Sequence, residues 1–395
     1  MKQVPTSELK EGVIVATDVY TPLKQLIIKS GTKITALDIA HLEFYKIPSV
    51  TVVEENEEWE DDWRIDPNIS STVPIKNGRK IFSEAILSMV NKPSEPDGEI
   101  KSEIMKAGPS TRNTREFQEY QVSYILNSEV NKVKFNRLIK ENEQIDTEDY
   151  LNQIKSLVPD DSTPLGVLDM LNHMRNSDDA TFVHCQNVAL MCNSMGQWLK
   201  LDKEETNTLT MAGLFHDIGK LFVPEALLNK VGPLTQSEIN ICRSHTVFGY
   251  NFMKDKDIDP RIKLAILNHH ERCDGSGYPN GLKDSQIDDF SRIVGIVDVY
   301  DAMTSQRKYR SPRCPFEVLE EFEHDGIKKF DPKYLFLFLE RVSGSFVNRW
   351  VILNNGQRGS VVMINKNAIS RPVVKIDDTF LDLSTTPSLK ISSVL

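Results

Sequence analysis

The sequence predicts a mainly α-helical fold, with a small α/β module before the helical region and a small β-domain after it. Apolar residues recur at helical spacing almost continuously from residue 163 to residue 339, a pattern typical of packed amphipathic helices. Short β-branched runs near both ends of the chain favour strands there. With 395 residues, the chain has room for roughly two or three domains of ordinary size.

Residues 1–63 are predicted to form the small N-terminal α/β module, a candidate regulatory module. Strand-like runs surround one segment, 34–45, whose apolar residues have helical spacing. An acidic run at 54–62 is typical of a solvated linker. Residues 64–150 are therefore predicted to comprise a linker and then a helical connector over 116–143.

Residues 151–341 are predicted to be an all-helical domain, and residues 342–395 a small β-domain. Three β-branched runs in this tail have the composition of strands. Asn355 and Gly356 lie between the first two runs, and this dipeptide is a strong signal for a hairpin turn.

Composition and charge restrict the class of protein and its partners. No segment approaches the roughly 20 apolar residues that cross a bilayer, and the N-terminus lacks a secretory signal, so we expect a cytoplasmic protein with no membrane partner. A net charge of −10 disfavours a nucleic acid polymer as partner, and local cations must hold any phosphate-bearing ligand. The five cysteines include no CxxC pair and are predicted to be free thiols.

Five of the eight histidines fall between residues 184 and 270, where even spacing would place fewer than two. Neutral imidazole is a common metal ligand, so the cluster predicts a metal site. A single histidine on an apolar helix is more often a core residue, and we interpret His41, His173 and His324 as core or surface residues. The clustered histidines are His184, His216, His245, His269 and His270.

Carboxylates accompany these histidines. His216 and Asp217 are adjacent just before a glycine, and His269 and His270 precede a glycine-rich loop, so that neighbouring ligands can diverge toward two metal ions. Asp298 lies in an otherwise apolar helix, where a carboxylate is costly to bury without a cation. The pattern therefore favours a site with more than one metal ion.

Three motifs between residues 160 and 320 resemble those of the HD-GYP branch of the HD-domain phosphohydrolases. They are HDIGK at 216–220, HHERCDGSGYP at 269–279 and DVYDA at 298–302. Each motif is weak alone, but their combination and order are specific. The resemblance implies hydrolysis of cyclic di-GMP to linear pGpG, in some members on to GMP, at a site with two or sometimes three iron or manganese ions.

The resemblance also implies the metal ligands. Members with three metal ions have a glutamate four residues before the first histidine, where this chain has Ala180. We therefore expect two divalent metal ions, iron or manganese, bridged by Asp217. Asp301, one turn beyond Asp298, is interpreted as a surface carboxylate or one that orients a ligand. The implied ligands are His184, His216, Asp217, His245, His269, His270 and Asp298.

The predicted catalytic residues are His216, Asp217 and Lys220. Two metal ions about 3.5–4 Å apart can activate water and stabilise charge on a phosphoryl group. Lys220 is close enough in sequence to contact the same phosphate, although a lysine at a helix end also fits a purely dipolar role. The predicted substrate-binding residues are Lys220, Gly275, Gly277, Tyr278, Arg307 and Arg310.

The two glycines are expected to allow close approach of the ligand to the backbone. Tyr278 is compatible with stacking on a base or packing against the core. The arginines suit phosphate, but their basic cluster also fits a solvated surface.

Three functional hypotheses follow from the sequence. The filled ligand positions favour an active cyclic di-GMP phosphodiesterase. The alternatives are a catalytically weak or silent cyclic-dinucleotide receptor, and a hydrolase for another substrate, such as cyclic GMP-AMP or a nucleoside monophosphate. Besides the cyclic dinucleotide, the sequence leaves open a homodimer or a signalling-protein partner, because the connector helix is too irregular to predict a coiled coil.

Overall fold

The computed structural model describes residues 2–53, with gaps at 11, 21–25, 35–38, 40–41 and 43–46, and residues 115–395, with gaps at 159–162, 175–179, 231 and 306–311. The chain forms two compact units. The first unit contains residues 1–70 and 219–248, and the second contains residues 71–218 and 249–395.

The strands and helices are numbered in chain order. They are β1 (Lys2–Pro5), β2 (Val19–Tyr20), β3 (Leu26–Ile28), β4 (Ser49–Val52), α1 (Arg115–Glu141), α2 (Thr147–Lys155), α3 (Pro164–Met174), α4 (Ala180–Trp198), α5 (Lys203–Phe215), α6 (Glu225–Leu228), α7 (Gln236–Arg243), α8 (His245–Met253), α9 (Pro260–Asn268), α10 (Asp289–Thr304), α11 (Pro315–Glu321), α12 (Ile327–Lys329), α13 (Pro332–Gly344), β5 (Trp350–Leu353), β6 (Arg358–Asn365), β7 (Ala368–Ile376), β8 (Thr379–Asp382) and β9 (Ile391–Val394).

In the first unit, residues 2–53 form the small α/β module that the sequence predicts. Strands β1 and β4 pair antiparallel, and so do β2 and β3. Ile39 and Leu42 are helical, and Leu42 is buried in a core that includes Val15 and Val50. Ile14 and Val15 belong to one of the strand-like runs of the sequence, but each makes only an isolated bridge and no ladder forms there.

Residues 219–248 of the first unit contain the short helices α6 and α7. Thr235 begins α7 with a capping box, in which its side chain accepts a hydrogen bond from the backbone N–H of Glu238 and Glu238 accepts one from the N–H of Thr235. Val223, Leu227 and Ile241 form a small apolar cluster between these helices.

The second unit is built around α4, which is buried along most of its length. Helix α4 packs against α1, α3, α5 and α10, and α9 packs against α5 and α10. Aspartate side chains fix the starts of three of these helices. Asp202, Asp259 and Asp288 each accept a hydrogen bond from a backbone N–H in the first turn of α5, α9 and α10. The predicted all-helical core is therefore confirmed.

The C-terminal residues form a five-stranded antiparallel sheet with the order β8-β7-β6-β5-β9. The predicted hairpin at Asn355 and Gly356 joins β5 to β6, and Gly356 has a φ of 84°, which favours glycine. The three predicted strands are confirmed as β5, β6 and β7. Strands β8 and β9 are additional, and both lie at the edges of the sheet.

Two expectations from composition can be compared with the structure. All five cysteines are free thiols, as predicted. Among the described residues, no helix is both long enough and apolar enough to cross a membrane.

Candidate metal centre

Six of the seven predicted metal ligands converge in the second unit. Two come from within helices α4 and α10, and two adjacent pairs come from the chain directly after α5 and α9. All are buried except the last, which is partly buried. They are Asp298 in α10, His184 in α4, His216 and Asp217 after α5, and His269 and His270 after α9.

The two carboxylates lie between the imidazoles. Asp298 Oδ1 is 2.9 Å from Nε2 of His184 and 3.7 Å from Nε2 of His216. Asp217 Oδ2 is 3.3 Å from Nε2 of His216 and 3.6 Å from Nε2 of His184. The other oxygen of Asp217 is 3.8 Å from Nε2 of His269. Each carboxylate therefore faces more than one imidazole.

Hydrogen bonds orient three of these imidazoles through Nδ1. In His184, Nδ1 lies 2.7 Å from Asp301 Oδ2. In His216 and His269, Nδ1 lies 2.8 Å and 3.0 Å from backbone carbonyl oxygens one turn earlier. Because these partners only accept hydrogen bonds, Nδ1 carries the proton of the neutral ring. Each Nε2 lone pair therefore points toward the carboxylates.

A chain of buried hydrogen bonds runs from helix α1 to His184. Tyr124 donates its hydroxyl hydrogen to Asn187 Oδ1, and Asn187 Nδ2 donates to Asp301 Oδ1 at 3.0 Å. The other oxygen of Asp301 is the partner of His184. All four side chains are buried. Asp301 is thus a buried carboxylate that orients His184, which is one of the two interpretations that the sequence left open.

The negative charge of the cluster is balanced by its imidazoles. Burial alone raises the pKa of Asp298, but the surrounding imidazoles of His184, His216 and His270 outweigh burial and hold the pKa well below its usual value. Burial lowers the pKa of His216, but the carboxylates of Asp217 and Asp298 outweigh burial and raise the pKa to about 10. The same field that favours an imidazolium favours a metal cation in its place.

The donor atoms suit a divalent metal ion. The ligand atoms of His184, His216 and Asp298 all lie within 4.8 Å of one another, and the same holds for Asp217, His269 and His270. Nε2 of His216 is buried and has no hydrogen-bond partner among the described residues. Buried polar atoms are normally satisfied, and a metal ion would satisfy this one. Imidazole nitrogens with carboxylate oxygens suit iron, manganese and zinc.

Comparison with known proteins identifies the family of this region. Residues 169–334 match the family model described as the HD domain. This part of the chain is an HD domain. The resemblance predicted from the three motifs is therefore confirmed.

Curated relatives of this chain include three phosphodiesterases that are named for a cyclic dinucleotide. Cyclic di-GMP phosphodiesterase PA4108 of Pseudomonas aeruginosa is 31% identical over 69% of this chain and 66% of the relative. A cyclic di-GMP phosphodiesterase of Thermotoga maritima is 32% identical over 60% of this chain and 61% of the relative. The 3′3′-cGAMP-specific phosphodiesterase 1 of Vibrio cholerae is 37% identical over 40% of this chain and 36% of the relative. The chain thus spans less than two thirds of the length of each of these relatives.

Glu271 anchors the glycine-rich loop of the HD domain next to the histidine pair. Its carboxylate accepts hydrogen bonds from the backbone N–H groups of Asn280, at 2.7 Å, and Leu282, at 2.9 Å. Burial raises the pKa of Glu271, and these backbone hydrogen bonds oppose that rise. This buried side chain therefore helps to hold the glycine-rich loop that follows His270.

The loop glycines have structural reasons to be glycine. A Cβ at Gly277 would lie 2.4 Å from Cα of Glu271 and 2.5 Å from the backbone nitrogen of Arg272. Gly275 has a φ of 81°, in the region that favours glycine. The Tyr278 ring stacks on the His270 ring with centroids 4.7 Å apart. The predicted substrate contacts of these three loop residues stay predictions.

Four further predicted site residues remain, two in the first unit and two outside the described residues. Lys220 and His245 belong to the first unit. His245 is buried and begins α8, and its Nδ1 lies 2.8 Å from the carbonyl oxygen of Cys242, the same arrangement as in His216. Arg307 and Arg310 fall outside the described residues. The roles of all four stay predictions.

Sequence reasoning missed two members of the hydrogen-bond chain. Asn187 lies three residues after His184 on α4, so its position on the same helix face was available from the sequence. Tyr124 is 63 residues from Asn187 in the chain, and no local pattern marks it as a partner of the metal site.

Proposed function

We propose that this chain is a metal-dependent phosphodiesterase that hydrolyses cyclic dinucleotides, with cyclic di-GMP as the principal substrate. The observation that carries the proposal is the convergence of the ligand atoms of His184, His216 and Asp298, with Asp217 within 3.6 Å of both histidines. The HD domain match and the named activities of the relatives support it.

The proposed ligands divide into two groups that would each hold one divalent ion. The first group is His184, His216 and Asp298, and the second contains Asp217, His269 and His270. Asp217 also lies close to both histidines of the first group, so its carboxylate would help to hold both ions. We propose His245 as a further ligand of the second ion, because its Nδ1 is held in the same way as in His216.

When bound, two divalent ions would lower the pKa of a water molecule and neutralise charge on the phosphoryl oxygens. The carboxylates and imidazoles of the chain would hold these ions in a buried setting, where charge stabilisation is stronger than in water. The water oxygen would then bond to phosphorus in line with the 3′ oxygen, the bond between phosphorus and the 3′ oxygen would break, and the 3′ oxygen would take up the proton that the water releases. The product is linear pGpG.

The cations of the chain have a proposed role in binding the phosphates. Lys220 would neutralise the phosphate under attack, and Arg307 and Arg310 would hold a phosphodiester through their planar forks. The negative net charge of the chain makes such local cations necessary.

The experiment that tests this function is hydrolysis by protein purified without oxygen and loaded with iron or manganese. We expect conversion of cyclic di-GMP to pGpG, detected by chromatography, and its loss in a His216→Ala variant that still folds. A matched control is His324→Ala, which changes a histidine outside the cluster. Intact cyclic di-GMP after reconstitution would contradict enzymatic function, and tight binding under those conditions would favour the silent receptor.

A second candidate substrate is 3′3′-cGAMP. The relative named for this substrate is 37% identical to the matched part of this chain, compared with 31% and 32% for the two cyclic di-GMP enzymes over longer stretches. Comparison of kcat/KM for the two cyclic dinucleotides distinguishes the candidates. A higher kcat/KM for cyclic di-GMP supports the proposal, whereas a higher value for 3′3′-cGAMP replaces the principal substrate.

A further inference from the structure

The turn directly after α9 carries two of the proposed metal ligands. Helix α9 ends at Asn268, and His269, His270 and Glu271 follow it. We call residues 269–271 the histidine turn. Carbonyl groups at the end of an α-helix lie beyond its own ladder of hydrogen bonds and need other donors. The donors that hold the carbonyl groups of the histidine turn therefore also fix the backbone from which the two imidazoles extend.

The guanidinium of Arg272 supplies a donor to the carbonyl groups at both ends of the histidine turn. Its Nη1 atom donates to the carbonyl oxygen of His269 at 3.0 Å and to that of Glu271 at 2.8 Å. The backbone N–H of Tyr278 donates to the carbonyl oxygen of His270 at 3.2 Å. An arginine near the C-terminal end of a helix is well suited to such bonds. One side chain thus holds the backbone on both sides of His270.

Packing holds the guanidinium of Arg272 in its turn. Its Cζ atom lies over the ring of Phe330, 4.8 Å from the ring centroid, and a cation in this position is attracted to the ring. A Cβ at Gly295 of α10 would lie 2.5 Å from the carbonyl oxygen of His269 and 3.6 Å from Nη1 of Arg272. Arg272 and the histidine turn therefore lie directly against α10, about one helical turn before Asp298.

We propose that Arg272 is a positioning residue of the metal centre. Its hydrogen bonds hold the histidine turn against α10, where Nδ1 of His270 is 3.8 Å from Asp298 Oδ2 and Nε2 of His269 is 3.8 Å from Asp217 Oδ1. Ligands that are held in place before binding lose less conformational freedom when the metal ion binds, so the affinity is higher. The inference rests on the proposed metal ligands, since Arg272 acts through two of them.

The charge of Arg272 acts in the opposite direction from its hydrogen bonds. Burial lowers the pKa of Arg272, and the negative charge of Asp298 is the largest of the effects that oppose burial. The guanidinium therefore lies within the electric field of the metal centre, where a cation repels a divalent metal ion. Loss of the charge alone would strengthen metal binding, whereas loss of the hydrogen bonds would weaken it. The sign of the change distinguishes the two roles.

The manganese affinity of the full chain, measured by competition with a chelating dye, tests the proposal. Arg272→Met removes the hydrogen bonds and the charge but keeps an unbranched apolar stem. It should bind manganese about tenfold more weakly than the wild type, within the range that residues orienting a metal ligand contribute. Arg272→Lys keeps the charge and a hydrogen-bond donor, so its affinity should lie between those of the wild type and Arg272→Met.

Arg292→Met is the matched control. Arg292 also donates to backbone carbonyl oxygens, those of Ile287 and Asp284, so its replacement should lower the urea unfolding free energy and leave the manganese affinity unchanged. An equal loss of affinity in this control would overturn the proposal, because general destabilisation would then account for the effect of Arg272→Met.

The remaining outcomes separate this inference from the proposed function. Wild-type or tighter manganese binding by folded Arg272→Met overturns the inference alone. If Arg272→Met does not fold, Arg272→Lys decides, and wild-type affinity in that variant overturns the inference. A wild-type chain that binds no manganese overturns the proposed function together with this inference.

Discussion

Replacement of Asp301 with asparagine tests whether the buried hydrogen-bond chain orients His184. Asp301 contributes one oxygen to Nδ1 of His184 at 2.7 Å, and its other oxygen accepts from Asn187 and from Ser305, each at 3.0 Å. An asparagine amide has one oxygen and one NH2 group. If its oxygen faces His184, its NH2 group faces the Asn187 amide and the Ser305 hydroxyl, and the Asn187 donor, which is buried, loses its acceptor.

The size of the effect follows from this geometry. Residues that orient a metal ligand typically contribute 10–100-fold to metal affinity, which corresponds to about 1.4–2.8 kcal/mol. Both Asp301 and His184 are 2% exposed, so solvent cannot replace the lost hydrogen bond. We expect Asp301→Asn to bind manganese about 10–100-fold more weakly than the wild type.

Competition with a chelating dye measures this affinity without any use of catalysis. Ser305→Ala is the matched control, because it removes one hydrogen bond to the same carboxylate and leaves the contact with His184 intact. The control should lose less affinity than Asp301→Asn. Equal manganese affinity in the wild type and in a folded Asp301→Asn variant would refute the orienting role.

Three further predictions concern stability and mobility. Tyr124→Phe leaves the buried Oδ1 of Asn187 without its donor and should lower the urea unfolding free energy by about 1–3 kcal/mol; an unchanged free energy would show that the bond is dispensable. Glu271→Gln replaces one acceptor of the loop N–H groups by a donor, so hydrogen exchange at residues 280–282 should accelerate, and unchanged protection would contradict the anchoring role. Hydrogen bonds from Arg261 outweigh burial and lower the pKa of Asp259. The ionised Asp259 carboxylate therefore stabilises the fold fully above the unfolded pKa of about 3.9, and this stabilisation is lost as the pH falls through the folded pKa. The stability gap between wild type and Asp259→Asn should therefore close in acid, and a gap that widens there would be inconsistent with the lowered pKa.

Much of the candidate site was predictable because its ligands lie in or beside elements with strong local signals. His184 and Asp298 sit inside apolar helices, and the pairs after α5 and α9 follow the last apolar turn of each helix. Burial of a polar or charged side chain at such a position costs free energy unless a partner such as a cation compensates it. The helical connector and the Asn355-Gly356 hairpin were predictable for a similar reason, since periodicity and turn chemistry are local.

Long-range contacts were not predictable from local patterns. The bond between Tyr124 and Asn187 depends on how α1 packs on α4, and the pattern of α1 alone shows apolar residues on both faces. Likewise, nothing in the sequence around Gly277 indicates that the backbone of Glu271 and Arg272 lies directly beside this glycine. Strands β8 and β9 are short and lie at sheet edges, where pairing with one neighbour decides their conformation.

Metal content per chain tests the central claim most directly. Protein purified without oxygen, loaded with manganese and freed of excess metal should contain two divalent ions per chain by mass spectrometry of the elements. His216→Ala and Asp298→Ala should each lose metal, whereas His324→Ala should match the wild type. A folded wild-type chain that retains no divalent metal, or a His216→Ala variant with the full wild-type content, would contradict the account.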